Sequence, residues 1–209
     1  VTYNSHNTIA EFLDAAAAKQ PAPGGGSVAA LTGALAAAIG EMVINYSVGK
    51  KGLEPHQDAL KSALAELHRA RQVMLELVTE DQNAFQALTA AKKLPRDSPG
   101  RDAQFNSALL ASVRTPEAVA AAAASILDLC QRLVPVVNQY LLSDLAVCAD
   151  LAMATVRCGI HNVRVNLADV SDPADRQKIE STLASILSRS LALIQKVSPA
   201  IWSRIGDAE

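Results

Sequence analysis

Little in this chain of 209 residues can stack, cross-link or bind metal. Aromatic residues make up 3% of a composition that is 50% hydrophobic and rich in alanine, so a core must come from close backbone approach rather than large side chains. The cysteines are three, Cys130, Cys148 and Cys158. They fall inside helical patterns with no CxxC pair, which reads as reduced core residues and a cytoplasmic location. His6, His56, His68 and His161 lack ligand spacing and no HExxH motif exists, so no metal is expected. Neither a Ser-His-Asp nor a Cys-His arrangement can be nominated. Charge is also sparse, with a net of −2 and no run of five like charges, which argues against a nucleic-acid partner. Val1-Thr2-Tyr3-Asn4 has no basic start leading into an apolar core, so no signal peptide is expected. The apolar stretch Val28 to Gly40 stops at Glu41, short of the roughly 20 residues of a membrane span. No alternating Val/Ile/Thr run is long enough for a sheet.

What is present is helical periodicity, and it predicts one all-α domain over residues 1–209, an up-and-down bundle of about five or six helices, two of them long. Asn7-Thr8 can cap a first helix from Ile9 to Lys19, with Glu11 placed for a capping box, and the helix ends before Pro21. Ser27 is expected to cap a second helix that runs to about Ser47 and stops at Gly49-Lys50-Lys51-Gly52. Pro55 begins a long third helix to about Lys93. Leu60, Leu64, Leu67, Met74, Leu77, Val78, Phe85 and Leu88 form its apolar stripe. A helix from Arg101 is expected to break before Pro116 and restart, capped by Thr115, to reach Leu133. Another runs from Pro135 toward Val156 and bends or breaks at Gly159 before Asn162 to Leu167. The last follows Ser171-Asp172-Pro173.

Several constellations carry chemical potential. Gly26, Gly33, Gly40 and Ser47 recur every seven residues and form a smooth line on the second helix, suited to close helix packing. The turn Pro21-Ala-Pro-Gly-Gly-Gly-Ser27 places Gly24, Gly25, Gly26 and Ser27 where free helix-start N–H groups attract an anion or a carbonyl oxygen. A preceding helix, where a dinucleotide fold has a strand, rules out the nucleotide reading. Asp81 and Asp144 each lie on an apolar stripe, and a carboxylate so placed is paired, caps a helix or lines a cleft. Asn162 and Asn166 present amides on one side of a helix, for a polar heterocycle or for solvent. Lys50 and Lys51 either serve the helix C-terminus or contact a carboxylate. Asp144 and Asn162 sit about 27 Å apart on an unbroken helix, so one ligand reaches both only through a bend or a second subunit.

The segment Pro21-Ala-Pro-Gly-Gly-Gly-Ser-Val-Ala-Ala30 with Gly33-Ala-Leu35 resembles the opening motif of the formiminotransferase-cyclodeaminase C-terminal family. Asp81 with Ala84-Phe85 resembles its mid-chain acidic site. Asn138, Ser143-Asp144, Val147 and Asn162-Val163-Arg164-Val165-Asn166-Leu167 resemble its later motif, and the match extends over most of the chain. The chain is similar to the short stand-alone bacterial members. The resemblance implies a helical dimer acting on tetrahydrofolate one-carbon units. Two activities fit, formimidoyltetrahydrofolate cyclodeaminase and methenyltetrahydrofolate cyclohydrolase, with folate as substrate and no resident cofactor. Asp81 and Asp144 are then the candidate catalytic acids, with Gly24 to Ser27, Lys50, Lys51, Asn162 and Asn166 as candidate substrate contacts. A helical dimer that binds folate or a protein partner without turnover is the other reading.

Overall fold

The computed structural model describes residues 2–206. Val1 and residues 207–209, which the single-domain reading also takes in, lie outside the described residues. Among the described residues the fold is all-α, with six helices in up-and-down order: α1 (Ile9–Ala17), α2 (Gly25–Asn45), α3 (Gln57–Lys93), α4 (Arg101–Leu133), α5 (Leu142–Leu167) and α6 (Pro173–Gly206). Short 3₁₀ turns, Glu54–His56 and Gln139–Leu141, lead into α3 and α5. The capping box at α1 forms as expected: Glu11 N–H donates to Thr8 Oγ1 and Thr8 N–H donates to Glu11 Oε2. Gly49, Gly52 and Gly100 take positive φ in the turns after α2 and before α4, which only glycine adopts freely.

α2 is the hub. It packs against α3 and α5, and α4 closes the bundle between those two, with α6 laid over α4 and α5. The seven-residue glycine line is the seam. A Cβ on Gly33 would lie 2.7 Å from Met74 of α3 and 3.1 Å from Thr155 of α5. One on Gly40 would lie 2.9 Å from Leu67 and 3.1 Å from Cys148. Ser47 ends the line, its hydroxyl accepting from Asn138 N–H at 2.9 Å. Both partner helices run antiparallel to α2 in matching register, so missing side chains on α2 are the condition for its depth in the core. Cys130 and Cys148 are buried with their Sγ atoms 3.4 Å apart, whereas Cys158, expected in the core, is exposed. α2 itself, at 21 residues, is long and apolar enough to cross a membrane, although the apolar stretch from Val28 had read as too short. Its glycine face is enclosed by α3 and α5, which marks it as the central helix of the bundle.

Three expectations are corrected. α4 does not break at Pro116 but runs continuously from Arg101 to Leu133. Proline has no N–H to give the carbonyl four residues earlier, and Asn166 replaces that bond by donating its amide to Ser112 O at 2.9 Å. α5 does not break at Gly159 but runs continuously from Leu142 to Leu167. Gly159 is there because a Cβ would lie 2.9 Å from Pro116 O and 3.0 Å from Ala120, so α4 and α5 touch backbone to backbone. Ser27 is not the cap of α2: the helix begins at Gly25 with Gly24 as its N-cap, and Gly24 offers no side chain.

Candidate active site

The start of α2 lacks a local cap, and a residue from another helix fills the need. Asp81 on α3 approaches the first turn of α2, where Ser27 donates its hydroxyl to Asp81 Oδ2 at 2.8 Å. A carboxylate there meets the positive end of the helix dipole and unpaired N–H groups. Gly26 makes room, because a Cβ at that position would fall 2.5 Å from Asp81 Cγ. Asp81 is therefore held between opposing influences. Burial raises its pKa above the ordinary carboxylate value, and the hydroxyl and backbone of Ser27 pull it partly back.

This carboxylate opens onto a cleft of about 240 Å³ at the end of the bundle, where the start of α2 meets α3, α4 and the last turns of α5. Gly24, Gly25 and Gly26 form one wall and Asp81 the floor, with Asn162 and Asn166 opposite. A Cβ on Gly25 would lie 3.2 Å from Asn162 Oδ1, so the glycine turn and that amide face each other directly. Asn162 spends its amide N–H₂ on Cys158 O at 2.8 Å, while its Oδ1 is turned to the cleft side as an acceptor. Asn166 is committed to Ser112 O and Asn162 O, so its part is to hold α4 and α5 in shape. Phe85 and Val165 line the rim and are 44% and 77% exposed, an apolar edge suited to a flat ring.

The structure thus brings together Gly24, Gly25, Gly26, Ser27, Asp81, Asn162 and Asn166. It leaves Lys50, Lys51 and Asp144 at the other end of the bundle. Asp144 lies in the first turn of the unbroken α5, roughly 27 Å from Asn162 at about 1.5 Å per residue. Lys50 donates to Asn138 Oδ1 and sits 4.8 Å from the centre of the Tyr140 ring, and Lys51 is exposed. Sequence reasoning missed Gln82 and Ser112, and read Pro116 only as a break in α4. Gln82 is fully buried beside the cleft and grips Tyr3 through both backbone groups, fastening the N-terminal segment to α3. Pro116 inside a helical pattern signals that Ser112 O needs another donor, but not that Asn166 is the one.

A second cavity, about 390 Å³, lies between α4 and the start of α6, against Arg114, Glu117, Asp172, Asp175 and Lys178. It is larger, but Arg114 already pairs with Glu117 at 2.7 Å, and none of the motif residues reach it. The smaller cleft has the buried acid, the free helix start and the facing amide together.

Comparison with known proteins identifies the family of the chain. The chain is 29% identical over 204 residues to methenyltetrahydrofolate cyclohydrolase of Methylorubrum extorquens, covering 96% of this chain and 98% of that protein. It is 32% identical over 189 residues to formimidoyltransferase-cyclodeaminase of Sus scrofa, covering 88% of this chain and 35% of that protein. The chain therefore spans about a third of the length of that two-activity relative. The crystal structure of formiminotetrahydrofolate cyclodeaminase from Thermotoga maritima superposes with a TM-score of 0.87 at 28% identity, covering 94% of this chain and 96% of that one. Residues 8–185 match the formiminotransferase-cyclodeaminase family, and the chain belongs to it.

Proposed function

We propose that this chain interconverts one-carbon units on tetrahydrofolate in the Asp81 cleft, as a cyclodeaminase acting on the formimino form or a cyclohydrolase acting on the methenyl form. The observation that carries the reading is a buried carboxyl of raised pKa set on a glycine-opened helix start, opposite a free amide oxygen. Relatives named for each reaction match this chain over almost its whole length.

The two reactions make the same demand on a site. In cyclodeamination, N10 attacks the formimino carbon carried on N5, N10 loses its proton, and the formimino nitrogen gains two protons in all, that one's equivalent and one from the medium, to leave as ammonia. In cyclohydrolysis, water adds to the methenyl carbon and loses a proton, and the resulting hydroxyl gives up its own as the carbon–N5 bond breaks, N5 gains a proton and the formyl group stays on N10. Each passes through a tetrahedral carbon between N5 and N10, and each needs a group that gives and takes protons beside it. Asp81 is placed to do so, because a raised carboxyl pKa brings its two protonation states closer to balance at working pH. The N–H groups of Gly25 and Gly26 offer hydrogen bonds to a pterin carbonyl, and Asn162 Oδ1 accepts from a pterin N–H. Phe85 and Val165 cover the ring faces.

No metal or permanent cofactor enters this scheme; the folate is the substrate. The unpaired cysteines support a reducing, cytoplasmic compartment. Asp144, Lys50 and a homodimeric state remain part of the proposal, because these side chains reach the cleft only from a second subunit. The test follows the near-ultraviolet absorbance of methenyltetrahydrofolate, starting from formiminotetrahydrofolate in one cuvette and from methenyltetrahydrofolate in another. A rate above background in either supports the reading and assigns the reaction. Folate binding with no rate in both identifies a binding protein instead.

A further inference from the structure

Asp81 and Gln82 are neighbours on one turn of α3, and each fastens a different part of the chain. Asp81 takes the start of α2 through the Ser27 hydroxyl. Gln82 spends its buried amide on backbone: Tyr3 N–H donates to Gln82 Oε1 at 2.8 Å, and Gln82 Nε2 donates to Tyr3 O and Val78 O, both at 2.8 Å. The Thr79 hydroxyl adds a third bond to Tyr3, donating to its carbonyl at 3.4 Å. The stretch between Tyr3 and Ser27 is thus fastened at both ends to residues 79–82 of α3. Packing does not explain the effort. α1 lies within that stretch, makes only marginal contact with any other helix, and buries only Phe12 and Ala15 of its nine residues.

The stretch matters for what hangs from its far end. The Tyr3 ring meets Phe12 edge-on at 6.4 Å, which joins the tether to α1. After α1, Gln20 bonds back twice, its Nε2 donating to Ala15 O at 3.0 Å and its N–H to Ala18 O at 2.8 Å. Pro21 follows at once, and Pro21 and Ala22 line the Asp81 cleft beside Gly24 and Gly25. Proline fixes φ at 21 and 23, so α1 and this wall move as one piece.

We infer that Gln82 is a positioning residue: by holding Tyr3 it sets α1, and through α1 it sets the Pro21–Gly25 wall at the spacing from Asp81 and Asn162 at which the cleft takes its ligand. The inference rests on reading the cleft as a folate site. With the tether cut, Ser27 and Asp81 still hold the helix start, and the wall that precedes it is free to swing out. A ligand that touches the wall draws it back, so the loss falls on binding and disappears at saturation. Apparent affinity drops by the fraction of time that the wall is in place.

Two readouts test this, one independent of turnover. Gln82→Met keeps the length of the side chain and removes the grip on Tyr3, whose freed backbone groups turn to water. In a variant folded by circular dichroism, KM for the folate that wild type consumes is expected to rise about tenfold while kcat stays within about threefold, as when the wall is in place about a tenth of the time. Phe12→Ala releases the same segment from a side chain that lies off the cleft, and the same split is expected. The double variant should raise KM by less than the product of the two effects, because both act through one segment. Phe12→Ala carries both readouts if Gln82→Met does not fold. The second readout is hydrogen exchange by mass spectrometry without folate. Exchange is expected to quicken together in α1 and in residues 18–26, with α3, α4 and α5 at wild-type rates. An unchanged KM, a fall in kcat at unchanged KM, or a KM rise in Gln82→Met that Phe12→Ala does not share overturns the inference. So does faster exchange of α1 beside an unaltered wall, or exchange raised equally in all six helices. A wild-type chain that turns over neither folate defeats the folate reading, and the exchange result then decides the tether by itself, so the two failures are separable.

Discussion

Gly26→Ala should cost more than an ordinary helix substitution, and for a reason that a second substitution can remove. The added methyl would sit 2.5 Å from Asp81 Cγ and 2.8 Å from Oδ2, so the carboxylate has to swing away from α2. That movement gives up hydrogen bonds to a charged group, worth about 1.5–3 kcal/mol, and crowding a packed contact costs about 1–3 kcal/mol more. Alanine returns about 1 kcal/mol of helix propensity. The expected net loss is roughly 1.5–5 kcal/mol, read from urea unfolding followed by circular dichroism. With Asp81→Ala already in place the obstacle is absent, and Gly26→Ala should then be neutral or stabilising by up to about 1 kcal/mol. An equal cost of Gly26→Ala in both backgrounds would refute the claim that this glycine exists to admit Asp81.

Asn166→Ala should destabilise by about 1–3 kcal/mol by leaving the Ser112 carbonyl without a donor. Pro116→Ala should erase most of that cost by restoring a backbone N–H, and an Asn166→Ala cost unchanged by Pro116→Ala would contradict the pairing. Gly159→Ala should cost about 1–3 kcal/mol and shift the unfolding midpoint down, because its methyl meets the rigid backbone at Pro116 O. Asp81 also sets a pH dependence. Its folded pKa is raised by burial, so the folded chain holds the proton to higher pH than the unfolded chain. Wild type should therefore lose stability relative to Asp81→Asn as pH rises from about 4 toward the folded pKa, with no difference in slope outside that window. Unfolding midpoints that diverge in the opposite direction would count against the burial of that carboxyl.

The helices and the glycine seam were legible because both depend on spacing along one helix, which a linear sequence displays. Gly26, Gly33 and Gly40 announced a close approach, and α3 and α5 make it. The misplaced features all depend on a second element. Ser27 looks like a cap because it precedes an apolar run, yet the capping group arrives from Asp81, 54 residues along the chain. Pro116 looks like a break because nothing nearby in sequence announces that Asn166 will satisfy the released carbonyl. Gly159 looks like a hinge because its contact is with α4, not with its own helix. Asp81, Asn162 and the glycine turn were each visible as candidates, while their meeting depended on three antiparallel registers. Asp144 and Lys50 shared the same motifs and lie at the far end, since periodicity gives a side chain's direction and not its height in the bundle.

Turnover by Asp81→Asn, compared with wild type on the folate that wild type consumes, tests the central claim most directly. The amide keeps the size of the side chain and an oxygen for Ser27, so the variant is expected to fold and to bind folate. It cannot exchange a proton, and its kcat should fall by about 10²–10⁴-fold, the range attributed to a positioned acid or base. A folded Asp81→Asn protein with wild-type kcat would contradict the account.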